Sequence, residues 1–153
     1  AVAVGRQGDG RSRPVPPADN GRGLSVRTRN QEYAAKIFEQ VTQVRAELGK
    51  DESNKYGSLA HRLPVLIRTA GLAQALAFAD ARGKDPGKKL LSDIAAVLGF
   101  EDKNELLKRS REAQLPEYMY LTRNVLAALA WYKRFAQSVL GVESGADEGE
   151  RDE

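Results

Sequence analysis

Between residues 30 and 140, large apolar side chains recur every three or four positions, and no window alternates with a period of two. Tyr33, Ile37, Val41, Val44 and Leu48 step by 4, 4, 3 and 4, the spacing of one face of an α-helix. Asn30 reads as its N-cap and Gly49 as its stop. A second helix is expected from about Ser53 to Ala70, with Leu59, Leu63, Leu66 and Ile67 apolar and Pro64 kinking or splitting it. Gly71 turns the chain into an Ala-rich segment, Leu72 to Ala81. Asp85 and Pro86 form an N-cap and N1 pair, opening a helix through Leu90, Leu91, Ile94 and Leu98 that Gly99 closes. Residues 102–114 make a short charged helix with Leu106 and Leu107 inside. Pro116 opens a long final helix to about Leu140. The fold class is therefore all-α, a compact bundle of five to seven helices.

The two ends differ from this body. The first 27 residues hold five Gly and three Pro, and almost no large apolar side chains. Residues 1–30 carry six Arg against Asp9 and Asp19; residues 143–153 carry six acids against Arg151. Neither end can bury enough surface to offset its conformational entropy. The division is a disordered Arg/Gly/Pro-rich arm (1–27), a helical domain (28–141) and a disordered acidic tail (142–153).

Composition excludes several functions. There are no cysteines and one histidine, His61. That removes disulfides, thiolate metal sites, a Cys nucleophile and multi-His metal centres, and it suits a reducing cytoplasm. The longest apolar run, Val125 to Tyr132, is far short of the ~20 residues a bilayer span needs, and no signal-peptide pattern is present. A soluble, cytoplasmic chain with no membrane partner, cofactor or metal is expected. Catalysis is poorly supported. His61 stands alone, and Asp93, Glu101, Asp102, Glu105 and Glu112 alternate with Lys and Arg like a solvated face. Gly83 to Lys89 superficially resembles a phosphate-binding loop. It is one residue short between the glycines, lacks the metal-holding Ser or Thr, and follows no strand; it reads as a helix–helix loop.

The last helix is more informative. With Leu121 at zero, Val125, Leu129, Tyr132, Phe135, Ala136, Val139 and Leu140 fall in a buried stripe about 140° wide. Arg123 and Arg134 sit at about 200° and 220°, some 16 Å apart along the axis, with only Ala127 and Ala130 between them. Tyr120 and Trp131 lie together at about 260–280°, and Lys133 at the core edge, where it snorkels. This side suits close approach by a macromolecule, with Arg on phosphates and aromatics on bases or in a partner's pocket. Lys108, Arg109 and Arg111 form a second basic cluster, and Lys88 and Lys89 a third. A competing motif spans Asp93–Arg111. Gly99 between two short helices resembles a helix-turn-helix, which would present Lys103, Asn104, Lys108 and Arg109 to DNA.

Longer strings carry a family resemblance. Tyr56-Gly57-Ser58-Leu59-Ala60, Leu63-Pro64-Val65-Leu66-Ile67 and Gly71-Leu72-Ala73-Gln74-Ala75-Leu76-Ala77-Phe78 resemble the small helical subunit of the type III-B CRISPR effector, the Cmr complex. So do Gln31-Glu32-Tyr33-Ala34, Tyr118-Met119-Tyr120-Leu121-Thr122 and Trp131-Tyr132-Lys133-Arg134-Phe135-Ala136. The matches are in order over about residues 31–140; the arm and the acidic tail depart from the pattern. The resemblance implies a non-catalytic subunit of an RNA-guided, RNA-targeting antiviral complex. Its copies would stack along the guide–target RNA duplex beside the backbone subunits and join the large polymerase-like subunit. Nuclease and cyclase activities would belong to other subunits. RNA- or partner-binding candidates are Arg62, Arg68, Lys88, Lys89, Tyr120, Arg123, Trp131, Lys133 and Arg134.

Overall fold

The computed structural model describes residues 27–82 and 84–144. Six helices account for nearly all of them: α1 (Arg29–Glu47), α2 (Lys50–Ala70), α3 (Leu72–Arg82), α4 (Lys84–Leu98), α5 (Lys103–Glu112) and α6 (Leu115–Ser138). No strand occurs among the described residues. The expected all-α bundle of five to seven helices is the observed architecture. The disorder expected of the two ends concerns residues that, apart from Arg27 and residues 142–144, lie outside those described. No described helix is long and apolar enough to cross a membrane.

Helix ends follow local chemistry, with shifts from the sequence reading. The N-cap of α1 is Thr28, not Asn30. Its hydroxyl accepts from the Gln31 N–H at 3.0 Å, and the Gln31 side chain accepts from the Thr28 N–H at 2.9 Å. This reciprocal capping box satisfies two donors, and Asn30 is committed elsewhere. Gly49 is not a left-handed stop; it sits at φ −68° as the N-cap of α2, after Leu48 has ended α1. Pro64 does not split α2, which runs through it for 21 residues. The missing N–H removes one bond to Ala60, at a cost of about 3 kcal/mol. Burial of Tyr56, Leu59, Leu63 and Ile67 on the same helix offsets it.

Two glycines turn the chain at positive φ. Gly71 (φ +93°) closes α2 by donating to Ile67 O at 2.9 Å, while its own carbonyl accepts from Ala75 of α3. Gly99 (φ +93°) ends α4 with Phe100 donating to Ala95 O and Gly99 to Ala96 O, the paired bonds of a Schellman closure. Asp102 then caps α5 by accepting from the Glu105 N–H at 2.9 Å. At its other end α4 begins at Lys84, so Asp85 lies inside the first turn rather than at the cap. Residues 84–89 are helix, not loop. A Cβ on Gly87 would lie 2.6 Å from the Ala79 carbonyl oxygen, so this glycine lets α3 and α4 approach.

α2 and α6 meet extensively, with α1 against α6, α3 and α4 against α2, and α5 against α3 and α4. The core joins Ile37 and Val41 of α1, Leu63 of α2, Leu76 of α3, Leu90 and Ile94 of α4, Leu106 of α5 and Leu129 of α6. One polar network runs through it. Asp93 of α4 is 6% exposed, not part of a solvated face. Its carboxylate accepts from the Tyr56 hydroxyl at 2.6 Å and from Lys89 Nζ at 2.9 Å. Its backbone carbonyl accepts from Gln40 Nε2 at 3.0 Å, and the Tyr132 hydroxyl donates to Gln40 Oε1. Four helices share these bonds.

Burial, with the nearby Asp93 charge, pushes the Tyr56 and Tyr132 hydroxyls well above the ordinary phenol range. An unfolded tyrosine releases its proton near pH 10 while these two stay neutral in the fold. The native state therefore binds more protons above that pH, and stability must fall as pH rises. Each tyrosine contributes a limiting slope of about 1.4 kcal/mol per pH unit, approached only above about pH 10, where the unfolded phenol is ionised. In urea melts between pH 8 and 11, the Tyr56→Phe, Tyr132→Phe double variant should lack about 3 kcal/mol of the parent's total alkaline decline, most of it above about pH 10. Equal declines would contradict it.

Candidate nucleic-acid and subunit interface

The face of α6 opposite its buried stripe emerges as the helical period requires. Leu121, Val125, Leu129, Tyr132 and Ala136 are buried, while Arg123, Ala130 and Arg134 are exposed and Ala127 is half-buried. Exposed Met119 and Gln137 extend this outer surface. Lys133 is half-buried at the core edge, as expected.

The aromatic flank is different from the open surface that the sequence suggested. α1 closes over it. Arg29 donates through Nη2 to the Tyr120 hydroxyl at 3.1 Å and through Nη1 to Asn124 Oδ1 at 2.9 Å, with its guanidinium 5.7 Å from the Tyr120 ring centre. Hydrogen bonding from Asn124 and Arg29 holds the Tyr120 phenol below its ordinary value. Trp131 donates from Nε1 to Asn30 Oδ1 at 3.0 Å and stacks on Phe135 at 5.6 Å; the Arg134 guanidinium lies 5.9 Å from the Trp131 ring. Phe38, 49% exposed, meets Phe135 edge-on. Trp131 is thus a joint between helices, while half-exposed Tyr120 remains accessible. Sequence reading missed Arg29, Asn30 and Phe38, because their partners are some 90 to 100 residues away in the chain.

The remaining candidates do not gather at one site. Arg62 is half-buried and engaged; Arg68 is exposed in the last turn of α2. Six residues apart, they differ by about 240° around the helix. Lys88 reaches the Asp80 carbonyl oxygen at 2.6 Å, and Lys89 is paired with Asp93. Burial alone would raise Asp80, but Lys103 at 3.0 Å and Lys88 outweigh it and hold the carboxyl below the usual range. Two of the four side chains expected to face DNA are likewise engaged in the fold. Lys103 is paired with Asp80, and Arg109 with Glu117 at 2.8 Å while lying over Phe100.

His61 is structural. Its Nε2 lies 2.9 Å from the Val142 carbonyl oxygen, which makes Nε2 the protonated nitrogen, and Nδ1 is buried with no hydrogen-bond partner. Val142 is 2% exposed and donates its N–H to Ala136 O after a left-handed turn at Gly141 (φ +73°). It is part of the packed body rather than the first residue of a tail. Its side chain sits where a Cβ on Gly57 would be, 2.8 Å from Val142 Cγ2. Among the described residues no group of three or more His, Asp or Glu side chains could hold a metal ion.

The family model of the CRISPR-associated Cmr5 protein matches residues 29–139. The chain belongs to the Cmr5 family. A Cmr5 relative, the CRISPR system Cmr subunit Cmr5 of Thermus thermophilus, is 50% identical over 115 residues, which cover 75% of this chain and 98% of the relative. The X-ray crystal structure of a Cmr5 family protein from the same organism superposes with a TM-score of 0.69 at 50% identity, covering 74% of this chain and 98% of that one. This is the family that the Leu63-Pro64 and Trp131-Tyr132-Lys133 strings resemble. The Cmr5 match opens on the first residue of α1 and closes just after α6.

The Gly57–Val142 contact gives a test of the C-terminal lock. Alanine in a helix interior gains up to about 1 kcal/mol over glycine, yet here its methyl collides with Val142. Gly57→Ala should destabilise the parent chain by about 1–3 kcal/mol but stabilise a Val142→Gly chain. Denaturant melts of the four-member cycle read the change of sign; the same sign in both backgrounds would refute the contact.

Proposed function

We propose that the chain is a non-catalytic structural subunit of the type III-B CRISPR Cmr complex, lying along the guide–target RNA duplex. Its partners are the backbone subunit, the large polymerase-like subunit and further copies of itself. It works in the cytoplasm and needs no cofactor. Membership of the Cmr5 family supports the assembly. The observation that carries the RNA contact is the outer face of α6, where exposed Arg123 and Arg134 flank a run of small side chains.

The chemistry fits that role. A guide–target duplex varies in sequence, so a subunit that lies along it must hold phosphates rather than read bases. Two arginines about 16 Å apart on a rigid helix can each engage a backbone phosphate. Ionisable groups elsewhere are engaged within the fold: Asp93 joins α4 to Tyr56 of α2, Asp80 of α3 pairs with Lys103 of α5, and His61 meets the Val142 carbonyl. A helix-turn-helix regulator over Asp93–Arg111 is less well supported, since Lys103 and Arg109 are held by Asp80 and Glu117 and Asp93 is in the core.

Replacing Arg123 and Arg134 with Gln should leave the fold intact and weaken binding to RNA of any sequence. Each lost phosphate contact lowers the slope of log affinity against log salt by about 0.7–0.9, so the pair should remove about 1.4–1.8. Fluorescence anisotropy with an RNA duplex across a salt series measures it. An unchanged slope would exclude this face as the contact.

A further inference from the structure

The sequence placed the open aromatic rings on α6; the structure leaves one open on α1 as well, in a better position. Trp131 is engaged by Asn30 and stacked on Phe135, whereas Phe38 is 49% exposed. Phe38 meets Phe135 at 5.3 Å with the two rings 74° apart, so one contact holds the ring while half of its surface faces solvent. With Glu39, Thr42, Gln43 and Ala46 it lines an open, largely apolar groove of about 370 Å³.

Charge is sorted around this ring. The Arg134 guanidinium lies 5.9 Å from the Trp131 ring, Trp131 stacks at 5.6 Å on Phe135, and Phe135 meets Phe38. An unbroken line of ring contacts thus runs from the outer face of α6 to Phe38. Arg45, exposed in the last turn of α1, is seven residues beyond Phe38. Seven residues bring a helix back to within about 20° of the same bearing, about 10.5 Å further along the axis. The acids of α1 point elsewhere: Glu32, Glu39 and Glu47 lie about 100–180° around the helix from Phe38. An accessible ring with cations beside it on both helices, and the carboxylates turned away, fits a nucleotide strand, with phosphates on the guanidiniums and a base on the ring.

We infer that Phe38 is a base-stacking platform for a single-stranded nucleotide of the RNA that Arg134 holds, with Arg45 as a further phosphate contact. The inference rests on the reading that the outer α6 face meets RNA, and it adds a contact to a base where that reading has contacts to phosphates alone. Stacking needs only a π face, which every base has, so the contact tolerates any sequence. Its loss lowers affinity without altering the salt slope, whereas the loss of an arginine lowers the slope.

The test uses the full chain with a short fluorescein-labelled oligoadenylate and an abasic oligonucleotide of equal length, each titrated by anisotropy across a salt series. Phe38→Leu keeps an apolar side chain against Phe135 and removes the π face. It should weaken oligoadenylate binding by about fivefold or more at every salt concentration, with an unchanged slope. Binding of the abasic strand should be unchanged, and Phe38→Trp should restore the parent affinity for oligoadenylate. Arg45→Gln should lower the slope on both oligonucleotides by about 0.7; an unchanged slope there overturns its part in the contact. Parent-like oligoadenylate affinity in Phe38→Leu, with a slope lowered by Arg123→Gln plus Arg134→Gln, overturns this inference alone. A weakened Phe38→Leu with no slope change in the arginine pair overturns the α6 reading, and with it the strand shared by Arg134 and Phe38. Equal weakening on both oligonucleotides overturns the stacking, since no base is then involved. If Phe38→Leu leaves RNA affinity intact and instead abolishes self-association in sedimentation velocity, the groove receives protein, and the inference fails.

Discussion

Asp93 ties together four helices. Its carboxylate lies in the core, where a lone charge would be costly, and it is tolerated because Tyr56 and Lys89 donate to it, while its backbone carbonyl accepts from Gln40, which in turn accepts from Tyr132. The consequence reaches the surface. Tyr132 lies about 180° around α6 from Arg123 and about 160° from Arg134. A network that holds Tyr132 inward therefore holds both arginines outward. The rotation of the exposed face is determined from inside the protein.

A second constraint operates at the ends of α6. Tyr118, near its start, accepts a hydrogen bond from the first turn of α3 at Ala73, and Val142, beyond its end, is seated on Gly57 and His61 of α2. α6 is thus fixed along its length by α2 and α3 on one flank and by Arg29, Asn30 and Phe38 of α1 on the other. A helix held this way has little freedom to tilt.

Much of this was legible in the sequence, for identifiable reasons. The apolar periods of α1 and α6 gave the right buried faces because burial dominates helix orientation. Gly71 and Gly99 marked true turns because both need positive φ. Arg123 and Arg134 were located correctly because their exposure follows from the same period. Several errors arose where long-range partners decide. Asp93 looks like one more charge among alternating charges; only its pairing with Tyr56 and Gln40 reveals it as core. Others were local: Lys89 faces Asp93 one helical turn later, and Lys88 reaches back eight residues to Asp80, so both are engaged within the fold. Trp131 seemed open because nothing in the sequence marks Asn30 as its partner. Thr28 outcompeted Asn30 as a cap because Gln31 lies three residues after it. Pro64, a helix breaker by local rules, was overruled by the tertiary packing of a long buried helix.

The functional account follows from where charge is engaged and where it is left outward. Tyr56–Asp93 joins α2 to α4 and Lys103–Asp80 joins α5 to α3, while Arg123 and Arg134 of α6 are exposed, in a chain of the Cmr5 family. The most direct test is affinity capture of the tagged, full-length chain from its source cells, followed by size-exclusion chromatography and sequencing of any bound nucleic acid. The account predicts co-elution with Cmr backbone and large subunits and with short guide RNAs, in constant proportion across the peak. Elution of the chain by itself, or with duplex DNA and no other Cmr subunit, would contradict it.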